Sequence, residues 1–181
     1  MRHRYKEAMV VAEEIVGWLE PYCGKIIIAG SLRRKKADVG DIEILCVPKP
    51  LLIPMKEYFD NLDFVIRCLI DEEKKLDYRL NKKGARTYGK QNKLLVHCAS
   101  GIPVDIFSTT EENWWVALVV RTGSKESNIR ISMEAKKYGW KFNAYGSGFT
   151  KVDGSLAKVL CHSEKEVFGL VALPYLPPEA R

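Results

Sequence analysis

The chain has 181 residues, 46% of them hydrophobic and 29% charged, which is enough to bury a sizeable core and excludes a disordered or fibrous class. Lys and Arg outnumber Asp and Glu by 29 to 23, a formal net charge of +6; this suits a polyanionic partner without specifying one. No stretch reaches the roughly 20 apolar residues of a membrane span, and the start of the sequence lacks an apolar signal segment, so no membrane partner is expected and a cytoplasmic location is. Cys23, Cys46, Cys68, Cys98 and Cys161 are odd in number and lack a C-x-x-C pair, the pattern of reduced core thiols rather than of disulfides or a zinc site.

In chain order, residues 4–20 show helical spacing, with Met9, Ala12, Val16 and Leu19 on one stripe and Pro21 and Gly24 as the stop. Arg2, His3, Arg4 and Lys6 make its start basic, equally a solvated run or a contact to nucleotide phosphate. Residues 25–29 form a short β-branched apolar strand that ends at Gly30-Ser31. Gly30 permits close approach of a ligand to the backbone, Ser31 adds a hydroxyl, and a helical turn after them offers N–H groups to an anion. Arg33, Arg34, Lys35 and Lys36 place four cations beside that turn, which suits a triphosphate.

Residues 41–47 read as the next strand, with Ile42, Ile44 and Cys46 on one face and Asp41, Glu43 and Leu45 on the other. Side chains at i and i+2 of a strand lie about 7 Å apart, and carboxylates so placed suit a pair of metal ions about 3.5–4 Å apart. Two carboxylates on an apolar strand are costly without cations, and Mg²⁺ is the cation that hard oxygen donors favour. After a break at Pro48-Lys49-Pro50, residues 55–69 read as a helix with Tyr58, Leu62, Val65 and Ile66 toward the core. Residues 71–93 are polar and lysine-rich, and read as a strand pair with a mobile basic loop, either a DNA-backbone contact or a solvated hairpin. His97 reads as a satisfied sheet residue. Residues 101–107 are an apolar strand with Asp105 at its centre, suited to face the first two carboxylates from a neighbouring strand.

The remaining chain reads as mainly helical. Thr109-x-x-Glu112 has the form of a capping box before a helix that carries Trp114, Trp115, Leu118 and Val119, one of the two tryptophans in the core. Ser124 suits the N-cap of a helix over 125–138, a small β element spans 140–152, and Ser163-x-x-Glu166 caps the last helix. The organisation is therefore α+β: residues 1–109 as a mixed sheet with helices on one side, and 110–181 as a small, mainly helical subdomain.

Gly30-Ser31, the pair Arg33-Arg34, Gly40-Asp41-x-Glu43 beginning nine residues after Ser31, and Asp105 alone in its strand resemble the nucleotidyltransferase superfamily that includes the polymerase-β-like family X DNA polymerases. Thr122-Gly123-Ser124 with Asn128 four residues on is similar to that family's Thr-Gly-Ser…Asn motif, and the end of the chain through Pro177-Pro178-Glu179 is similar to its closing segment. With nothing before the first helix where many members carry a deoxyribose-phosphate lyase domain, the resemblance is to the minimal, two-subdomain form. It implies that 1–109 is a palm, the nucleotidyltransferase catalytic subdomain, and that 110–181 binds the nascent base pair. Asp41, Glu43 and Asp105 would be the catalytic, metal-binding triad for two Mg²⁺ ions, for which Mn²⁺ can substitute. Gly30, Ser31, Arg34 and Gly40 would hold the triphosphate, Gly123 and Asn128 would line base and sugar, and the Gly123–Ser124 peptide would be cis.

The implied function is DNA-directed DNA synthesis in short-gap repair, adding dNMP from a dNTP to a primer 3′-hydroxyl on DNA, by a monomer. Two departures keep alternatives open: Glu43 stands where the polymerases usually carry Asp, and Val120-Arg121 stand where vertebrate members have aromatics. One alternative is a nucleotidyltransferase acting on a non-DNA acceptor; the other is a catalytically weakened DNA-binding accessory protein.

Overall fold

The helical spacing early in the chain produces α1, Tyr5–Leu19, which buries Ala8, Val11, Ala12, Ile15 and Leu19; Met9 and Val16 are only partly covered at the margin of that stripe. A 3-10 turn containing Pro21, Glu20–Tyr22, closes the helix because proline fits a first turn but cannot continue a helix. The computed structural model describes residues 2–51, 57–143, 146, 148–153 and 159–181. Their contacts divide the chain into two units, Met1–Thr109 and Thr110–Arg181.

The first unit is built on a five-stranded mixed sheet in the order β2-β4-β7-β6-β5. Its strands are β2, Cys23–Ile28; β4, Ile42–Pro48; β5, Leu76–Tyr78; β6, Asn92–His97; and β7, Pro103–Ser108. Among the described strands only β4 and β7 run parallel, and their register pairs Glu43 with Asp105 and Ile44 with Ile106. A separate two-stranded ribbon joins β1, His3–Arg4, to β3, Asp38–Val39. Ile42, Ile44, Val104 and Ile106 are buried in one apolar core with the stripe of α1 and with Leu62, Ile66 and Leu69 of α3, Asn61–Asp71. Strand alternation then places Glu43 and Asp105 on the face opposite the helices.

The residues 55 and 56, expected to open the third helix, lie outside the described residues. The described helix begins later because Asp60 is its N-cap, its carboxylate accepting the Asp63 N–H at 2.8 Å, while Tyr58 precedes the helix with its ring edge-on to Phe64. The basic stretch after α3 forms a hairpin, as the sequence implied. Isolated bridges join Leu80 to Arg86 and Tyr88 to Lys93, and Asn81 Oδ1 accepts from the N–H groups of Lys83 and Ala85.

The second unit starts with a 3-10 turn, Glu111–Asn113, followed by α4, Trp114–Thr122. The capping box expected at Thr109 and Glu112 does not form: the turn intervenes, no side chain caps it, and the Thr109 N–H donates to Cys46 O of the sheet at 2.9 Å. Ser124 does cap α5, Lys125–Lys137, accepting from the Ser127 N–H at 3.2 Å. The hairpin of β8, Trp140–Asn143, and β9, Gly148–Lys151, packs beside α5, and α6, Glu164–Gly169, against α4. Ser163 caps α6, and the Glu166 carboxylate accepts the His162 N–H at 2.7 Å. Val119, Ile131, Phe149, Val167 and Phe168 centre this second core; Trp114 is buried, and Trp115 packs against the core from its edge. The architecture is α+β, with a mixed sheet and helices, as the sequence implied.

Candidate active site

Strand β2 ends at Ile28, and after Ala29 the chain makes the single helical turn α2, Gly30–Arg33. Gly30 has φ +59°, and a Cβ there would lie 2.0 Å from Glu43 Oε2 and 3.0 Å from Glu43 Cβ. The position thus requires glycine twice, for its left-handed backbone and for the closeness of the Glu43 side chain. The turn is tied to the same strand by the Ala29 N–H, which donates to Glu43 O at 2.8 Å.

Ser31, Arg34, Gly40, Asp41 and Glu43 line one pocket of about 560 Å³. Ser31 Oγ is buried and has no hydrogen-bond partner among the described residues, a position that costs free energy until an acceptor is supplied. A Cβ at Gly40 would meet nothing within 4 Å, so packing does not explain that glycine. Arg2 and Lys36 add two cations to the lining. Arg2 arrives there because the β1–β3 ribbon pairs His3 with Val39 and Arg4 with Asp38, and the Tyr5 N–H donates to Ala37 O at 3.0 Å. The sequence offered Arg2 only as one cation in a basic run; strand pairing gives it a specific place.

Asp105 lies on β7 directly beside Glu43, at the roughly 4.8 Å spacing of neighbouring strands. Its carboxylate is paired with the guanidinium of Arg79, a residue that the sequence reading passed over. Arg79 follows β5, its N–H donates to Leu94 O at 3.1 Å, and its Nε donates to Leu95 O at 3.3 Å. One cation among many in a lysine-rich stretch carries no signal of this; it emerges only from the order and register of β5, β6 and β7.

The donor set of Asp41, Glu43 and Asp105 matches the hard oxygen ligands that Mg²⁺ takes, and Ser31 Oγ is an orphaned donor beside it. The fit is one of chemistry and backbone placement. Among the described residues no group of three His, Cys, Asp or Glu is gathered closely enough to hold an ion; Glu43 is packed against Gly30 and Asp105 is engaged by Arg79.

A buried polar knot fixes the base of the hairpin that carries Arg79. Asp63 is fully buried, and its carboxylate accepts from Tyr88 Oη at 2.7 Å and from the Phe59 N–H at 3.1 Å. Burial, and then the hydrogen bond to Asp63, push the Tyr88 hydroxyl well above the usual tyrosine range. Lys93 is wholly buried and donates to Gly89 O at 3.0 Å; burial lowers its pKa, opposed by the charges of Asp60 and Asp63.

Gly123 and Asn128 lie together in the other unit. The Asn128 Nδ2 donates to Val120 O at 2.8 Å, and a Cβ on Gly123 would meet Asn128 Oδ1 at 2.9 Å and Val119 O at 3.1 Å. The expected cis peptide is absent: no described peptide bond is cis. Gly123 is extended, with φ −60° and ψ 157°, and a trans link from it to the Ser124 cap is sufficient to turn α4 into α5.

Residues 117–181 match the family model of the DNA polymerase beta thumb. The second unit is therefore similar to the thumb of a polymerase-β-like enzyme, which supports a family X-like polymerase and DNA polymerase-like DNA binding. No curated protein matches the chain. Among the described residues no helix is long and apolar enough to cross a membrane, and all five cysteines are free thiols.

Proposed function

We propose that the protein is a DNA-directed DNA polymerase of the family X type, with a nucleotidyltransferase palm over residues 1–109 and a nascent-base-pair-binding subdomain over 110–181. The reaction would join the α-phosphorus of a dNTP to a primer 3′-oxygen and release pyrophosphate, in a cytoplasmic monomer that fills short gaps in DNA during repair. One observation carries the reading: an orphaned hydroxyl and two arginines line the same pocket as Asp41 and Glu43, with Asp105 in register beside Glu43. The thumb match supplies the DNA context.

In this reading Ser31 Oγ donates to a phosphate oxygen, while Arg34 and Arg2 neutralise the triphosphate and orient it through charge-assisted hydrogen bonds. Gly40 leaves the backbone open to the phosphates, and Gly30 keeps Glu43 close to the turn. Gly123 and Asn128 line the base and sugar. Asp41, Glu43 and Asp105 would hold the two Mg²⁺ ions, or Mn²⁺ in their place, and the chemistry such ions supply is charge stabilisation on the attacking and leaving oxygens. The chain's own contribution is positioning and preset electrostatics.

The test is extension of a primer on a one-nucleotide-gapped duplex, with each dNTP offered separately in Mg²⁺. Incorporation of the template's complement is the expected result; incorporation of any nucleotide regardless of template would contradict template direction. The carboxylates' present engagement, Glu43 with Gly30 and Asp105 with Arg79, favours a second reading, a DNA-binding protein without catalysis. That reading expects gapped-DNA binding with no incorporation of any dNTP in Mg²⁺ or Mn²⁺.

A further inference from the structure

Arg79, Leu94, Asp105 and Glu43 form one line across the sheet. The Arg79 N–H bonds to Leu94 O, Leu94 is in register with Asp105, and Asp105 with Glu43. Registered partners share a face, so the guanidinium lies on the carboxylate face and not on the helix face. It spans two strand spacings, about 10 Å, to reach Asp105. The arginine is not loosely placed: the Nε–Leu95 O bond braces its side chain midway, and the side chain is 29% exposed. Asp105, with 15% side-chain exposure, is thus a part-buried carboxylate whose negative charge a protein cation already offsets.

We infer that Arg79 is a positioning residue that orients Asp105 and competes with the divalent cation for its Oδ1, so that the carboxylate set closes only when Arg79 yields. This rests on the proposed metal role of Asp105. The physical basis is charge: a carboxylate oxygen engaged by a guanidinium is a weaker ligand for a second cation, because the two positive charges repel and share one donor atom. The arrangement makes Arg79 a brake on ion binding at Asp105. A merely structural arginine would have the opposite signature, since loss of a supporting partner weakens metal affinity by roughly 10–100-fold.

The experiment is direct Mn²⁺ binding to the full chain, read by electron paramagnetic resonance without nucleotide or DNA, on wild type and on Arg79→Gln, Arg79→Lys and Asp105→Asn. Arg79→Gln should bind Mn²⁺ roughly tenfold more tightly, as removal of a unit charge beside a carboxylate implies, and Arg79→Lys, which keeps the charge, should stay within about threefold of wild type on the same basis. Affinity that is unchanged or weakened in a folded Arg79→Gln overturns the inference; should that variant fail to fold, Arg79→Met serves with the same expectation. Asp105→Asn reports on the underlying reading: Mn²⁺ binding that survives it unaltered removes the metal role of Asp105, and the competition with it.

Discussion

The two units use their polar side chains in different ways. In the second unit several serve its own architecture: Ser124 and Ser163 cap helices, Asn128 Nδ2 holds the end of α4, and Arg181 is buried with Glu164 at 2.8 Å while its Nε donates to Leu176 O; Asn128 Oδ1 and Arg181 Nη2 are buried there without a hydrogen-bond partner among the described residues. In the first unit the pocket after β2 keeps a buried hydroxyl without a partner and collects two arginines, a lysine and three carboxylates in one concavity. Residues 117–181 of the second unit match the DNA polymerase beta thumb, and the first unit gathers an orphaned hydroxyl and opposite charges in one pocket. A polar group satisfied within the fold reports on stability, whereas one left unsatisfied beside several charges reports on binding.

Substitutions can break this comparison by moving the wrong observable. The largest effect on stability is expected from Arg181→Ala, which leaves Glu164 buried without this partner; loss of one member of a buried ion pair costs about 3–5 kcal/mol. Thermal or urea unfolding measures it, and the KM for dNTP of the remaining folded protein should be unchanged. Gly30→Ala should cost about 1–3 kcal/mol for the left-handed backbone. It should also depress nucleotide incorporation in the fraction that folds, because the new Cβ displaces Glu43; a stable, fully active variant would contradict the close approach.

Smaller effects sharpen the contrast. Arg34→Ala should raise the KM for dNTP roughly tenfold, about 1.4 kcal/mol of binding, with the melting temperature held within a few degrees. An unchanged KM would remove Arg34 from phosphate recognition. Ser124→Ala should lose about 1 kcal/mol through the cap alone, visible in denaturant unfolding and not in KM.

Much of this was legible in the sequence because the signals were local. The strand after α1, the Gly30-Ser31 turn, the alternation around Glu43 and the caps at Ser124 and Ser163 depend on neighbouring residues, and each appears where the residues imply it. What was not legible depended on pairing between distant segments. Arg2 enters the pocket through a two-residue ribbon with Asp38–Val39, and Arg79 meets Asp105 across three strands; neither partner is encoded near the residue itself. The expected capping box at Thr109 failed for the same reason, since the sheet claims the Thr109 N–H. The Gly123–Ser124 peptide shows the limit of carrying a motif's geometry with its letters: the residues match, and the peptide is trans.

The central claim is that the pocket beside Gly30 is a catalytic site, with its chemistry held by the carboxylates. It is tested most directly by single-turnover incorporation of the complementary dNTP into a gapped duplex by wild type and Asp41→Asn, with thermal unfolding of both measured in parallel. The expected result is an unaltered melting temperature with a rate lowered by about a thousandfold or more, about 4 kcal/mol of barrier. A folded Asp41→Asn that incorporates nucleotide at near the wild-type rate would contradict the assignment.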